Sequence, residues 1–398
     1  MTAWPQVPLG EVFEIARGGS PRPIDDYITE REDGINWISI SDASDSSKFI
    51  ERTKRRIRPE GVSRSRMVQP GDFLLTNSMS FGRPYIMRTS GCIHDGWLSL
   101  GKKRDGIDQN FFFHLLGSDA VYSEFARLAA GVTVKNLNIE LVKGVAVPVP
   151  PLPEQRRIAE VLDRAETLRA QRRQALAQLD ALAESIFESL FGNNPGSVKT
   201  VGELLTSGAL LVHKDGNHGS LYPRADDFME EGIPFLSARA IRDDGRIDDQ
   251  LVEHLHPDKA AKLRLGWIIE GDVLLSHNAS IGKVAHYDGR FERALIGTSL
   301  TAFRPNPQVL ISAYLTAALR SSRFQRALEK NMGQTTRNQV PITAQRALQL
   351  SLPPLGVQRE FASQMEAVER AKELQHASLA SFDALFASLQ HRAFRGEL

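Results

Sequence analysis

The feature that most constrains the fold is a repeated stretch in which a diproline precedes a long segment without helix breakers. Pro150–Pro151 comes shortly before residues 156–190, which contain neither Gly nor Pro. The same arrangement returns at Pro353–Pro354 and runs toward Phe394. Proline disfavours helical angles in the residue before it, whereas Ala, Leu, Glu, Gln and Arg favour a helix. Two long helices are therefore predicted, the first ending near Leu190.

Both predicted helices carry apolar residues at alternating spacings of three and four, which is typical of a coiled-coil seam. The two stripes match at a constant offset of 203 residues, and Arg172 corresponds to Gln375 at a shared polar break. Two helices with matching stripes in one chain most simply pack against each other; the alternative is that each covers its own domain. The predicted seam consists of Ile158, Leu162, Ala165, Leu168, Arg172, Leu179, Leu182, Ile186, Phe361, Val368, Ala371, Gln375, Phe382, Leu385 and Leu389.

The segments that precede the two helices are also repeated. Residues 71–83 match residues 271–283 at a constant offset of 200 without a gap, and residues 131–136 match residues 333–338. A period near 200 residues is far longer than that of a solenoid repeat and indicates two domains. The predicted division is a first domain at 1–149, a helix at 150–192, a second domain at 193–352 and a helix at 353–398.

Within the first domain, short apolar runs between Gly, Pro, Asp and Ser clusters predict a mixed, strand-rich structure. Helices are predicted at Gln109–Leu116 and Ala120–Leu128, and a closing strand at Val145–Val149. The second domain retraces this pattern. The predicted fold class is α+β, with two tandem, structurally similar mixed α/β domains separated by two long helices. These helices are expected to pack as an antiparallel coiled coil with pseudo-two-fold symmetry.

Composition restricts the classes of site and partner. A single cysteine, Cys92, excludes an internal disulfide and a cysteine-based zinc site. The net charge of +1 neither demands nor excludes nucleic acid, but residues 48–66 contain eight basic and two acidic residues. No apolar run approaches the roughly 20 residues of a membrane span, and the N-terminus lacks the layout of a signal peptide. We therefore expect a cytoplasmic protein without a membrane partner.

No recognisable catalytic motif is present. The sequence lacks a Gly-rich nucleotide loop, a P-loop, a serine nucleophile elbow and the Asp/Asn-Pro-Pro-aromatic tetrapeptide of amino-methyltransferases. His213, Asp215 and His218 suggest a metal site, but such residues in a Gly-rich turn more often cap the turn. Asp72 and Asp272 lie in Gly-Asp turns, where a side-chain oxygen stabilises the turn. We predict no catalytic residue, metal or bound cofactor.

Two pairs of matched loops carry groups that suit a phosphate oxygen. Each loop combines a hydroxyl residue with a cation, and residues 80–83 and 280–283 add a glycine that allows close backbone approach. The same residue types are ordinary in turns, and the basic run near residue 55 equally suits a solvated face. Both interpretations remain open for Ser80, Arg83, Thr133, Lys135, Asn136, Ser280, Lys283, Thr335, Arg337, Asn338, Lys54, Arg55 and Arg56.

Taken together, these residues resemble the specificity subunit of Type I restriction-modification systems over essentially the whole chain. The strongest marks are Pro150–Ala159, the two Gly-Asp-x-Leu-Leu loops and Ala393–Leu398. Residues 215–224 also look like the opening of a target recognition domain of that family. The second helix departs from the pattern, with Gly356-Val357 where the first has Pro153-Glu154.

The resemblance implies a non-catalytic subunit whose two target recognition domains each read one half of a bipartite site in double-stranded DNA. The paired helices would hold the domains apart and dock two methyltransferase subunits, which carry S-adenosylmethionine and methylate adenine. Restriction (motor-nuclease) subunits would complete the complex, with Mg²⁺ and ATP also bound outside this chain. Arg pairs with guanine and Asn with adenine in the major groove. The candidate base readers are Arg17, Arg22, Asn77, Arg83, Asn217, Arg224, Arg239, His277 and Asn278.

The helices are also predicted to set the gap between the two half-sites. A run of about 35 residues spans roughly 50 Å as a helix, and DNA repeats every ~34 Å. We therefore expect half-sites centred about one turn apart on one face of the duplex. The competing interpretation is a coiled-coil scaffold whose domains bind no DNA, and a steep salt dependence of DNA binding would separate the two.

Overall fold

The structure is a computed structural model, and it describes residues 4–44, 48–77, 81–129, 137–192, 196–278, 280–332 and 339–398. It divides into two compact units. Unit 1 comprises residues 1–173 and 377–398, and unit 2 comprises residues 174–376. Each unit holds one globular domain with parts of both long helices. In the described part of the chain, no helix has the length and apolar character that a membrane span needs.

Domain 1, which precedes the first long helix, is built from short strands and helices. Its strands are β1 (Gln6–Pro8), β2 (Phe13–Arg17), β3 (Ile35–Ile38), β4 (Phe49–Ile50), β5 (Arg55–Ile57), β6 (Arg66–Val68), β7 (Phe73–Thr76), β8 (Pro84–Met87), β9 (Gly91–Ile93), β10 (Trp97–Lys102) and β11 (Ala146–Pro148). Its helices are α1 (Leu9–Val12), α2 (Ile40–Ser44), α3 (Gln109–Leu116), α4 (Asp119–Ala129) and α5 (Ile139–Gly144), and the long helix α6 (Leu152–Phe191) follows.

Domain 2 is built from a similar series of elements, with differences between its second and seventh strands. Its strands are β12 (Ser197–Thr200), β13 (Leu210–Asp215), β14 (Phe228–Met229), β15 (Ile233–Leu236), β16 (Glu253–Leu255), β17 (Trp267–Ile268), β18 (Val273–Ser276), β19 (Val284–His286), β20 (Ala294–Ile296), β21 (Leu300–Pro305) and β22 (Gln349–Leu352). Its helices are α7 (Val201–Thr206), α8 (Pro257–Ala260), α9 (Ser312–Arg320), α10 (Ser322–Lys330) and α11 (Ile342–Gln345), and the long helix α12 (Leu355–Arg395) follows.

The sheet topologies of the two domains correspond. In domain 1 one sheet has the order β2-β10-β7-β8-β4, and in domain 2 the matching sheet is β13-β21-β18-β19. A second sheet runs β5-β3-β9-β6 in domain 1 and β14-β16-β15-β20-β17 in domain 2. In both, one central pair is parallel: β3 with β9 and β15 with β20. A two-stranded ribbon, β1-β11 or β12-β22, leads into the long helix. The predicted duplication of a mixed α/β domain is confirmed.

Each long helix is anchored to its own domain by a buried glutamine. Gln155 is fully buried one turn into α6. Its Oε1 accepts a hydrogen bond from the Asp108 N–H at 2.8 Å. Its Nε2 donates to the carbonyls of Gly106 at 2.9 Å and Pro150 at 2.8 Å. The side chain therefore ties the loop before α3 to the first turn of α6.

Gln358 repeats the same contacts in domain 2. It is fully buried, and its Oε1 accepts from the Ile311 N–H at 2.9 Å. Its Nε2 donates to the carbonyls of Val309 at 3.0 Å and Pro353 at 2.8 Å. Every residue in this set lies 203 positions after its counterpart in domain 1. No role for Gln155 was predicted from the sequence. The available signal was that both long helices carry a glutamine at the same place in their first turn.

The first turns of each stripe are buried against the helix's own domain. Ile158 and Leu162 belong to the domain 1 core, and Phe361 belongs to the domain 2 core. The far end of the other helix packs into the same place. Phe394 meets Phe111 edge to face at 5.7 Å in unit 1. The two helices therefore pack on each other, and their first turns also pack on the domains that precede them.

Contacts in unit 1 show that the helices run antiparallel there. Arg157 near the start of α6 donates to the carbonyl of Leu398 at 2.9 Å. Further along α6, Arg169 donates to Asp383 at 2.6 Å and also pairs with Glu166. Later residues of α6 thus meet earlier residues of α12, as an antiparallel pair requires.

Unit 2 shows the same arrangement with the corresponding residues. Lys372 contacts Asp180 at 2.8 Å and Glu369 at 3.1 Å. The rings of Phe191 and Phe361 meet at 5.5 Å. The ion pairs of the two units are equivalent at the offset of 203 residues. In each pair the cation is largely covered and the aspartate is about half exposed. We expect such a partly exposed pair to contribute about 1 kcal/mol or less to stability, so that its main effect is on the register of the helix pair.

Two positions of the predicted seam are corrected. Leu182 is 48% exposed and Leu385 is 47% exposed, whereas the neighbouring Ala183 and Phe386 are partly buried. The spacing of three and four continues from Leu179 to Ala183, so the smaller residue faces the partner helix. The other apolar seam residues are buried or partly buried. Arg172, at the polar break, lies with its guanidinium 5.7 Å from the centre of the Phe382 ring.

Candidate nucleic-acid interface

Both domains present polar side chains at the same crossing of two chain segments. In domain 1 the residues after β2 cross the turn between β9 and β10, and in domain 2 the residues after β13 cross the turn between β20 and β21. A Cβ on Gly18 would lie 2.1 Å from the His94 carbonyl, and one on Gly216 would lie 2.4 Å from the Ile296 carbonyl. Only glycine fits at such an approach. Both domains therefore need a glycine where the two segments cross.

In domain 1 the crossing carries a set of polar residues that we call the Asp95 cluster: Arg17, Ser20, Arg22 and Asp95. Arg17 Nε donates to the Asp95 carbonyl at 2.8 Å, and Ser20 Oγ donates to Asp95 Oδ1 at 2.7 Å. Arg22 Nη2 lies 3.3 Å from Asp95 Oδ2. The hydrogen bond from Ser20 is the main cause that lowers the pKa of Asp95. An ionised carboxylate thus lies among two arginines at the surface.

In domain 2 the corresponding place carries different groups. His218 Nε2 lies 2.7 Å from Asp215 Oδ2, and the His218 side chain is 63% exposed. Arg224 and Arg239 are also exposed in this domain, Arg239 on the one-turn helix that follows β15. The two domains therefore combine one backbone framework with different exposed donors and acceptors.

The matched loops after β7 and β18 differ in the same way. Arg83 is exposed, while Lys283 is largely covered. Lys283 Nζ donates to the Ile241 carbonyl at 2.9 Å and lies 3.0 Å from Asp243. Ser280, three residues earlier, is exposed. The cation of the second loop is thus held by its own domain, and Ser280 is the accessible group.

The basic run of domain 1 lies on and beside an edge strand. Lys54, Arg55 and Arg56 are exposed, and β5 is the outer strand of its sheet. Arg55 and Arg56 pair in register with Trp37 and Asn36 of β3. The outer side of β5 is covered by residues 27–29, where the Thr29 N–H donates to the Arg56 carbonyl at 3.0 Å and Ile28 forms a bridge with Ile57. The exposed basic side chains suit contact with a phosphate backbone and equally suit a solvated face. Both interpretations of this run remain open.

Three of the candidate base readers are buried and are removed from that set. Asn77 is 1% exposed and donates to the Asp95 carbonyl at 3.1 Å. Asn217 is 5% exposed and donates to the Leu265 carbonyl at 2.6 Å. His277 is 5% exposed, with Nδ1 2.8 Å from Thr301 Oγ1, and burial lowers its pKa. These side chains bind neighbouring groups inside the domain and do not face solvent.

Asn278 is partly buried at an isolated bridge with Gln339, next to His277. Seven further candidates lie outside the described residues, and they stay predictions from sequence: Ser80, Thr133, Lys135, Asn136, Thr335, Arg337 and Asn338.

The turn explanation of two acidic residues is confirmed. Asp72 Oδ2 accepts from the Gln69 N–H at 2.7 Å, and Asp272 Oδ2 accepts from the Ile269 N–H at 2.9 Å. Asp272 is fully buried and also binds Arg304 through both oxygens at 2.7 Å. These carboxylates stabilise the Gly-Asp turns before β7 and β18.

His213, Asp215 and His218 do not converge on one point. His213 is 2% exposed, and its Nε2 lies 3.1 Å from Gln345 Oε1. Burial lowers the pKa of His213 to about 4. Only Asp215 and His218 contact each other, and the described residues contain no group of three metal-ligand side chains.

Comparison with known proteins decides the family. A family model described as "Type I restriction modification DNA specificity domain" matches residues 1–179 and 226–381. The chain belongs to this family. The specificity-domain match covers parts of both repeats, as the duplicated fold requires, and it confirms the resemblance found in the sequence.

Members of this specificity family are related to the chain over nearly its full length. This chain is 21% identical to the Type I restriction enzyme EcoBI specificity subunit of Escherichia coli. The alignment runs over 427 residues and covers 100% of this chain and 86% of that protein. The chain is 20% identical over 384 residues to the MjaVIII specificity subunit of Methanocaldococcus jannaschii, covering 93% and 87%. The S subunit structure from M. genitalium matches with a TM-score of 0.55 and 14% identity, covering 98% and 96%. At this identity the structural match shows the fold.

Proposed function

We propose that this chain is the DNA-reading specificity subunit of a Type I restriction-modification complex. One observation carries the proposal: both domains have equivalent helix anchors and a glycine-dependent crossing after the first strand of the main sheet, yet they present different exposed polar groups. Such a duplication keeps the attachment of each domain to its helix and varies the surface that can recognise a ligand. Each domain then reads one half of a bipartite site in double-stranded DNA.

The long helices are proposed to set the gap between the two half-sites. α6 has 40 residues and α12 has 41, so each is about 60 Å long at 1.5 Å per residue. This length exceeds one turn of DNA, roughly 34 Å. The antiparallel contacts of α6 with α12 in each unit support a spacer made of paired helices. Deleting seven residues from each helix at equivalent positions should shorten the gap, and an unchanged gap would contradict the spacer role.

The chain is proposed to act without catalytic residues of its own. Two modification subunits would bind the helices, carry S-adenosylmethionine and methylate adenine, and restriction subunits would use Mg²⁺ and ATP. Membership of the specificity family supports this division of labour. Activity of the isolated chain as a methyltransferase or nuclease would refute it.

The experiment that tests the function is salt-dependent binding of duplex DNA by the chain reconstituted with its modification subunits. Phosphate contacts release counterions, so the logarithm of the affinity should fall steeply and linearly with the logarithm of the salt concentration. A duplex with the methylated motif should bind more tightly than one with scrambled half-sites. Equal and salt-insensitive binding of both duplexes would favour the scaffold interpretation.

A further inference from the structure

We propose that the Asp95 cluster reads a G·C base pair in the half-site of domain 1: Arg17 and Arg22 donate to guanine, and Asp95 both positions them and accepts from cytosine. The inference rests on the proposed function, because it assumes that domain 1 faces the major groove. It goes further by naming the base pair and the residue that orients the readers.

Hydrogen bonds hold the backbone under the cluster. The Gly19 N–H donates to the Ile93 carbonyl at 3.1 Å, and the Gly18 N–H donates to the Trp97 carbonyl at 3.0 Å. The turn opposite is closed by His94, whose Nδ1 accepts from the Gly96 N–H at 2.8 Å. Residues that read bases need such support, since a displacement of about 1 Å breaks a bidentate contact.

Asp95 holds both arginines from one side. Its carbonyl accepts from Arg17 Nε at 2.8 Å and also from the amide of the buried Asn77 at 3.1 Å. Its Oδ2 lies 3.3 Å from Arg22 Nη2 and 3.9 Å from Arg17 Nη2. The Arg17 side chain is 50% exposed and that of Arg22 is 79% exposed. The remaining N–H groups of each guanidinium are therefore available to a ligand.

The chemistry of the cluster favours a base edge over a phosphate. A carboxylate that is 40% exposed would repel a phosphate group placed between the two arginines. In the major groove a G·C pair offers N7 and O6 of guanine as acceptors and N4 of cytosine as a donor. Arginine supplies the two donors that guanine needs, and Asp95 supplies the acceptor that cytosine needs. The cluster thus contains a complementary group for each atom of that edge.

The same crossing in domain 2 carries Asp215 and His218 in place of two arginines. That surface has fewer fixed donors for guanine. Changes in the Asp95 cluster should therefore alter the half-site of domain 1 alone.

The test compares methylation motifs in a host that lacks its own restriction-modification system. The chain is expressed with its modification subunits, and the motif is read by long-read sequencing for the wild type, Asp95→Asn and Arg22→Ala. Asp95→Asn keeps the side-chain shape but removes the charge. Glu140→Gln and Lys143→Ala are matched controls, because these residues form an exposed ion pair of 2.8 Å on α5 of the same domain.

We expect both cluster variants to lose the preference for G·C at one position of one half-site, by about tenfold or more, while the other half-site is unchanged. The controls should keep the wild-type motif. An unchanged motif in both cluster variants, or a relaxed position that is not G·C, would overturn the proposal. Abolished methylation in both variants, with wild-type folding by circular dichroism, would also overturn it by indicating a general affinity contact. If the wild type itself gives no methylated motif, the proposed function fails instead.

Discussion

Replacing Gln155 by alanine tests whether this side chain anchors domain 1 to α6. The substitution removes three hydrogen bonds, one from the Asp108 N–H and two to the carbonyls of Gly106 and Pro150. The site is fully buried, so the orphaned groups lose their partners where water is excluded. At about 1 kcal/mol for each bond, the local stability should fall by about 3 kcal/mol. Gln358→Ala should have nearly the same effect in domain 2, because its three bonds have closely similar lengths.

Native-state hydrogen exchange is the appropriate assay, because it measures the opening free energy of each segment separately. Protection should fall in residues 106–116 for Gln155→Ala and in residues 309–319 for Gln358→Ala. Gln178→Ala is the control, since Gln178 is exposed on α6 and its loss should change stability by less than about 0.5 kcal/mol. A loss below about 1 kcal/mol for either buried glutamine would refute the anchor role.

Three further predictions concern stability. Asp272→Asn breaks the bidentate pair with Arg304, and it should lower the free energy of unfolding of domain 2 by about 3 kcal/mol, measured by urea denaturation. His213 has a folded pKa of about 4, below its usual 6.5, so the unfolded chain binds more protons between these values. Stability should therefore be complete above pH 6.5 and fall by up to about 3 kcal/mol as the pH drops toward 4. Exchanging the charges of Arg169 and Asp383 should recover only part of the loss caused by the single reversals in a double-mutant cycle, about 1 kcal/mol or less, because Arg169 also pairs with Glu166.

Each of these has a clear contrary result. Domain 2 would keep its stability in Asp272→Asn if the turn needed only one acceptor. A His213 ring that titrates near pH 6.5 by NMR would show that the ring is not buried as described. A double charge reversal as unstable as the sum of the single ones would argue against a direct contact between Arg169 and Asp383.

Much of the architecture was predictable because it rests on local pattern and on repetition. The helix predicted at Gln109–Leu116 has those bounds, and the helix predicted from Ala120 begins one residue earlier. The diprolines and the runs without Gly or Pro predicted α6 and α12, because helix formation there depends on local residue preferences. The duplication was visible because matching residues of the two repeats keep a constant offset, including in turns that only a few residue types can form.

The errors in the prediction arose at residues whose exposure is decided by tertiary packing. Leu182 was placed in the seam because it is large and apolar, although the helical spacing puts Ala183 there. Asn77, Asn217 and His277 have the right chemistry for reading bases, but their amide and imidazole groups satisfy buried neighbours. Sequence pattern alone cannot tell an exposed amide from one that braces a loop.

Asp95 was missed for the complementary reason. It lies 78 residues from Arg17 and 73 from Arg22, and only the pairing of β2 with β10 brings them together. The Gly18–Gly19 pair was the one available signal, because two adjacent glycines at a strand end permit a close backbone crossing.

The central claim is that one chain reads two half-sites through two separate domains. Long-read methylome sequencing of the host, with and without this chain, tests it most directly. The expected result is a methylated motif with two specified halves around unspecified bases, present only when the chain is present, and altered in one half alone by Asp95→Asn. A continuous motif, or the same motif in the absence of the chain, would contradict it.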